Sequence, residues 1–268
     1  MKGPLFYSKI LLFGEYGIIQ DSKGLSIPYN FYNGALKKED HPSQDAIASN
    51  GHLKRFVTYL ESLQTEQPDL VQFDIATLQK DVNEGMYFDS SIPQGYGVGS
   101  SGALVAAIYD KYAQHKITVL ENLTREKLLE LKTIFSQMES FFHGKSSGLD
   151  PLNSYLSIPI LINSKDNIEA TGIPTQSFDG KGAVFLLDSG IVGETAPMVN
   201  IFMENLKDQG FRTMLKSQFV KHTDACVENF LVGDIKALFS NTKKLSKVVL
   251  NHFKPMIPEQ FHGVWQQG

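Results

Sequence analysis

The stretch Pro93-Gln94-Gly95-Tyr96-Gly97-Val98-Gly99-Ser100-Ser101-Gly102-Ala103 constrains this chain more than any other. Glycines at positions 95, 97 and 99 let the backbone turn tightly and approach a ligand with no side chain in the way. Beyond them Leu104, Val105, Ile108 and Tyr112 recur at helical spacing, so the loop empties into the start of a helix. Unpaired N–H groups and the positive end of the dipole favour an anion there. Glycines, hydroxyls and a helix start in that order make a phosphate cradle. The same residues also suit a turn that only begins a core helix, a common use of glycine.

Gly97-x-Gly99-x-x-Gly102 fits the dinucleotide fingerprint as well. That motif follows a buried strand directly, whereas Ser90-Ser91-Ile92-Pro93 leads in here. Two hydroxyls beside phosphates suit a nucleotide-bound Mg²⁺, which makes a nucleoside triphosphate the better ligand.

With 268 residues, the chain is long enough for one large domain or two of ordinary size. Its 42% hydrophobic and 20% charged residues argue against disorder. A net charge of −4 gives no electrostatic reason to expect nucleic acid as a partner. The single cysteine, Cys226, cannot form an internal disulfide and fits a reducing cytoplasm. No apolar run approaches the ~20 residues that a membrane helix needs. Lys9 interrupts the only apolar stretch near the N-terminus, so no signal peptide is read there.

In chain order, Leu5 to Phe13 reads as a buried strand with Lys9 as its one charge. Gly14 to Gly17 turns the chain; Ile18-Ile19 begins a second extended piece, resumed at Gly24 to Pro28 and followed by aromatics to Tyr32. Lys37 to Ser43 reads as a polar loop. Ser49 or Asn50 can cap a helix that carries Leu53, Phe56, Val57, Leu60 and Leu63. The alternation Val71, Phe73, Ile75 predicts a half-buried strand. Thr124 can cap a later helix with Leu128, Leu131, Phe135, Met138 and Phe142 as its apolar stripe.

Glu139 stands on the rim of that stripe. A carboxylate there is costly unless paired or bound to a metal, although it can also reach solvent as an edge residue. Gly144-Lys145-Ser146 is similar to the tail of a Walker loop, but Glu139 occupies the place of its required first glycine. Asp150 precedes Pro151, a placement that also suits an Asx turn or a cap. After about residue 175 the texture changes to a short strand, Gly182 to Asp188, and three amphipathic helices, which suggests a second domain. The histidines at 41, 52, 115, 143, 222, 252 and 262 show no metal-ligand spacing.

Three segments together resemble the GHMP kinases, small-molecule kinases of several substrates. Ser8 to Tyr16 resembles the family's first motif, Pro93 to Ala103 its glycine-rich second motif. Glu139, His143-Gly144 and Ser147-Gly148-Leu149-Asp150 resemble the metal and catalytic segment of the mevalonate kinase branch. The resemblance implies an α+β fold in two domains, residues 1–175 and a ferredoxin-like 176–268, with nucleotide and substrate between them. It implies that backbone amides of Gly95, Tyr96, Gly97, Val98, Gly99, Ser100 and Ser101 hold ATP, and that Ser101 and Glu139 hold Mg²⁺. Asp150 would take or orient the acceptor's proton, Lys9 would pair with Asp150, and Glu15 and Tyr16 would begin the substrate pocket.

The expected activity is ATP-dependent phosphorylation of the primary alcohol of mevalonate, in isoprenoid precursor synthesis, by a cytoplasmic protein with a small-molecule substrate. Neither nucleic acid nor membrane is an expected partner, and the oligomeric state stays open, a homodimer being one form. Tyr16 stands where mevalonate kinases usually carry histidine and is also common in phosphomevalonate kinases, whose acceptor needs extra basic residues, with Lys37 and Lys38 as candidates. The third family motif, a glycine-rich loop near the C-terminus, is absent, so the chain reads as shortened. A family decarboxylase, a dinucleotide-binding oxidoreductase and a catalytically silent family member are the rival readings.

Overall fold

The apolar run at 5–13 is strand β1, Phe6–Phe13, in the computed structural model, which describes residues 3–118, 123–174, 185–193 and 195–267. The chain divides into two units, Met1–Ile10 with Ile27–Ile158, and Leu11–Ser26 with Pro159–Gly268. β1 and the long strand β2, Gly24–Lys37, contribute to both.

In the first unit β2 is followed by helices α1, Gln44–Glu66, and α2, Ile75–Asn83, and by strand β3, Tyr87–Ser90. β3 pairs antiparallel with β2 from Gly34 to Lys37. Helices α3, Ser100–Tyr112, α4, Arg125–His143, and α5, Leu149–Leu156, complete the unit. α3 is buried on nearly every side because its interior is small: Gly102, Ala103, Ala106 and Ala107 let neighbouring backbones come close. Tyr109 of α3, Phe135 of α4 and Tyr155 of α5 then meet edge to face, with ring centroids 5.0, 5.2 and 5.6 Å apart. Such aromatic pairs add roughly 0.5–1.5 kcal/mol each beyond the area they bury. The trio locks α3, α4 and α5 together.

In the second unit β2 pairs antiparallel with β4, Ile160–Ser164, from Gly24 to Ser26, and β4 pairs with β5, Asn167–Ala170. Helices α6, Thr195–Asn205, α7, Gln209–Met214, α8, Lys221–Val232, α9, Ile235–His252, and α10, His262–Gln267, follow. A π-helical turn, Leu215–Val220, joins α7 to α8. Their core holds Phe202, Met214, Leu215, Phe219, Val248 and Phe253. Cys226 is fully buried, and burial pushes its thiol pKa up, which leaves it unreactive. The architecture is thus mixed α and β, as expected of an α+β fold; where a mixed sheet was expected in the first domain, β2 pairs antiparallel with β3 and β4, and β4 with β5.

Several local expectations are corrected. Ser43, not Ser49 or Asn50, caps the first helix, by accepting a bond from Ala46 N at 3.1 Å. Ser49 and Asn50 instead tie the helix sideways to the backbone of Phe88, Val82 and Met86. The strand expected at Val71 to Ile75 reduces to one bridge, Phe73 with Ala113. Asp74 accepts from Thr77 N and starts α2, whose buried Leu78 and Val82 continue a helical period that three alternating residues hid. Ile18-Ile19 lies in a 3₁₀ turn, Gly17–Gln20, closed by Asp21 in the left-handed region, rather than in extended chain. The strand at 182–188 falls partly outside the described residues, and Phe185 to Asp188 are exposed and non-strand. α5 and the β4–β5 hairpin had no counterpart in the sequence reading.

Candidate active site

The glycine loop has Gly95, Gly97 and Gly99 at φ of 79°, 68° and 85°, a backbone that side chains rarely adopt. A Cβ on Gly97 would meet nothing within 4 Å, so its face of the loop is open. One on Gly99 would press on Lys9 Cγ at 3.1 Å. Tyr96 is part-exposed and Val98 buried; Ser100 opens α3, and no side chain caps that helix start. Lys9 N donates to Val98 O at 3.0 Å, which fastens the loop to β1.

Lys9 is a buried cation, and its Nζ lies 2.9 Å from Asp150 Oδ1. A buried ammonium is expensive without such a partner. Asp150 reaches it from the first turn of α5, where the helix dipole favours a negative charge. Gly102 permits the approach: a Cβ there would sit 2.8 Å from both Asp150 C and Pro151 N. The alternative of an Asx turn or a cap at Asp150 does not hold, because the residue lies inside the first turn of α5 and no side chain caps that helix start.

Glu139 is not on a rim but buried, at 3% exposure. Ser101 Oγ donates to its Oε1 at 2.9 Å and Ser146 Oγ to its Oε2. Burial first, and the nearby Asp150 charge second, push the Glu139 pKa up to about 7, against the opposing pull of Ser146, Ser101 and Lys9. Ser146 is itself held, its carbonyl by Ser136 Oγ at 2.6 Å and its hydroxyl by Gly148 N at 3.0 Å. His143 Nε2 stands 3.0 Å from Ser101 Oγ.

A buried carboxylate disfavoured in its charged form, beside a hydroxyl, is a fitting partner for a hard cation. Among the described residues no group of three or more His, Cys, Asp or Glu could hold a metal alone. Ser101 and Glu139 would suit Mg²⁺, which needs only one or two protein carboxylates.

Lys9, Ser101, Glu139 and Asp150 thus converge within the first unit. Glu15 and Tyr16 belong to the second. Glu15 is exposed; Tyr16 stacks on Phe202 and Phe253, with centroids 5.6 and 6.3 Å away. Burial, and then Glu15, push the Tyr16 hydroxyl pKa up to about 12, so it stays protonated. His143 belongs to the segment that carries the resemblance but has no role assigned from sequence, and Ser146 is not among the expected site residues. Their signal was present: His143 follows Glu139 by one helical turn, and Ser146 lies in the second glycine loop.

Residues 63–157 match the family model of the GHMP kinases N terminal domain. The resemblance is to the GHMP kinases. The matched residues contain the glycine loop, Ser101, Glu139 and Asp150, but not Lys9. No curated protein matches the chain by sequence. Its fold is similar to that of the Methanococcus jannaschii mevalonate kinase, with a TM-score of 0.51 over 93% of this chain and 80% of that one, at 14% identity. A second mevalonate kinase gives 0.51 over 92% and 79%, also at 14% identity. The Lin0012 protein from Listeria innocua gives 0.52 over 92% and 77%, again at 14% identity. At such identity the likeness is one of fold alone.

Proposed function

We propose that this chain is an ATP- and Mg²⁺-dependent kinase of the GHMP type that phosphorylates the primary alcohol of mevalonate, in isoprenoid precursor synthesis. GHMP kinases are ATP-dependent phosphotransferases, and the fold neighbours titled as mevalonate kinases support that acceptor. The observation that carries the reading is the Lys9–Asp150 pair packed against Gly99 of the glycine loop.

Phosphoryl transfer asks a protein for positioning and charge neutralisation more than for covalent chemistry. Amides of the loop and of the α3 start hold the phosphates. Ser101 and Glu139 would hold Mg²⁺, which when bound would supply neutralising charge for the phosphates. Asp150 accepts the proton of the alcohol as its oxygen bonds to the γ-phosphorus and the bond to the ADP oxygen breaks. Lys9 keeps Asp150 oriented and offsets the charge that develops. Glu15 and Tyr16 remain the proposed substrate contacts.

Two rivals lose support. A phosphomevalonate acceptor needs free basic residues, but Lys37 is bound to Asp89 and Lys38 to Asp81 and Glu84. A dinucleotide site needs a parallel βαβ unit, whereas β3, the strand before the loop, runs antiparallel to β2. Among the described residues no helix is long and apolar enough to cross a membrane.

The test is an ATP-coupled assay of the chain against mevalonate, phosphomevalonate, homoserine and galactose, with an NADH fluorescence titration beside it. Turnover with mevalonate above the other three is expected. Turnover with another acceptor replaces the substrate, and NADH binding without ATP turnover removes the kinase reading. The cradle is tested separately: Gly97→Val should weaken ATP binding roughly tenfold or more in calorimetry, as loop amides lose phosphate. Gly97→Asn, which tolerates the left-handed backbone, should weaken it too, because a side chain then fills the open face. Unchanged affinity in both folded variants would misplace the cradle.

A further inference from the structure

The Ser101 hydroxyl carries one proton and faces two partners, Glu139 Oε1 at 2.9 Å and His143 Nε2 at 3.0 Å. A carboxylate only accepts, so with Glu139 ionised the Ser101 proton points at Glu139 and His143 donates from Nε2. That arrangement is unsuited to a cation shared by the two oxygens, because the proton occupies the space between them. The proton has one other acceptor within reach, the His143 ring, once the imidazole carries its own proton on Nδ1. Glu139 and His143 are four residues apart on α4 and so share one face of the helix. Gly144, at φ 70°, ends the helix directly after His143, whose ring is exposed.

We propose that His143 is a positioning residue for the metal–nucleotide complex: it accepts the Ser101 hydrogen bond when MgATP binds, and so turns the Ser101 lone pair and the Glu139 carboxylate toward the cation. The inference rests on the kinase reading above and adds to it a residue that acts through Ser101 rather than on the substrate. His143 is needed for the Mg²⁺-dependent part of nucleotide affinity and not for the part due to loop amides.

The experiment is calorimetry of ATP binding with Mg²⁺ and with EDTA, on the unmutated chain and on His143→Leu, His143→Gln, Ser101→Ala and the Ser101→Ala/His143→Leu double variant. Circular dichroism and urea midpoints confirm folding. His143→Leu should weaken MgATP about fivefold, the worth of one hydrogen bond, and leave binding in EDTA unchanged. His143→Gln, whose amide oxygen stands near the place of Nε2, should restore MgATP affinity. The double variant should be no worse than Ser101→Ala, because the histidine has nothing left to position.

Equal loss with and without Mg²⁺ overturns the proposal and makes His143 structural. Unchanged MgATP affinity in His143→Leu overturns it as well. Failure of Gln to restore affinity, together with a shift from Mn²⁺ toward Mg²⁺ preference in His143→Leu, overturns it by making the imidazole itself a cation ligand. If the unmutated chain binds ATP under neither condition, the kinase reading falls and this inference with it.

Discussion

Asp150→Asn is expected to keep ATP affinity while kcat falls by roughly 10²–10⁴, the range for losing a general base. Asparagine is nearly isosteric and retains an oxygen for Lys9, so the 2.9 Å contact should weaken without collapse of the site. Lys9→Met should also lower kcat, since it removes the charge that orients Asp150 while keeping much of the buried stem. The double variant should lose less than the two single losses together, as groups that act as a unit do. Steady-state kinetics with saturating ATP, set beside calorimetric ATP affinity, checks all three. Turnover by Asp150→Asn at the unmutated rate would make the pair structural and remove the mechanism proposed here.

Gly148→Ala should be the most damaging small substitution to stability, by roughly 2–4 kcal/mol. A Cβ there would lie 2.1 Å from Lys132 O and 2.7 Å from Ser136 N, both backbone atoms of α4, in a residue at φ +74°. Neither helix backbone nor loop can yield by rotating a side chain, so α4 and α5 must separate. That separation would also carry Ser146 away from Glu139 and Asp150 away from Lys9. Urea unfolding of Gly148→Ala against Gly97→Asn measures it, because Gly97 also has positive φ but meets nothing within 4 Å. Unfolding free energies for the two variants within about 0.5 kcal/mol of each other would mean that the loop packs differently.

The glycine loop opening into α3, Thr124 capping α4 and the amphipathic helices after residue 195 all follow from periodicity and capping, which act between residues a few positions apart. Where short-range signals conflicted, local reading failed. Val71, Phe73 and Ile75 alternate like a strand, yet the Asp74 cap and the burial of Leu78 and Val82 favour a helix. Ser49 and Asn50 look like caps because their polar groups need partners, but those partners are backbone groups near residues 82–88, far along the chain.

The same division holds for the site. By itself the sequence determined the kinds of group available: flexible amides for phosphate, a carboxylate at the rim of an apolar stripe, a lysine inside an apolar strand. Only the tertiary structure decided which of them meet. Lys9 reaches Asp150 because Gly102 lets α5 lie against α3, and Glu139 meets Ser101 because Tyr109, Phe135 and Tyr155 clamp three helices together. Tyr16 shows the converse, a motif position whose ring is bound into the aromatic core of Phe202 and Phe253. The physical reason is one of range: propensity, caps and periodicity act through a few bonds, whereas ion pairs, buried hydrogen bonds and ring packing act through space and depend on where distant segments are brought together.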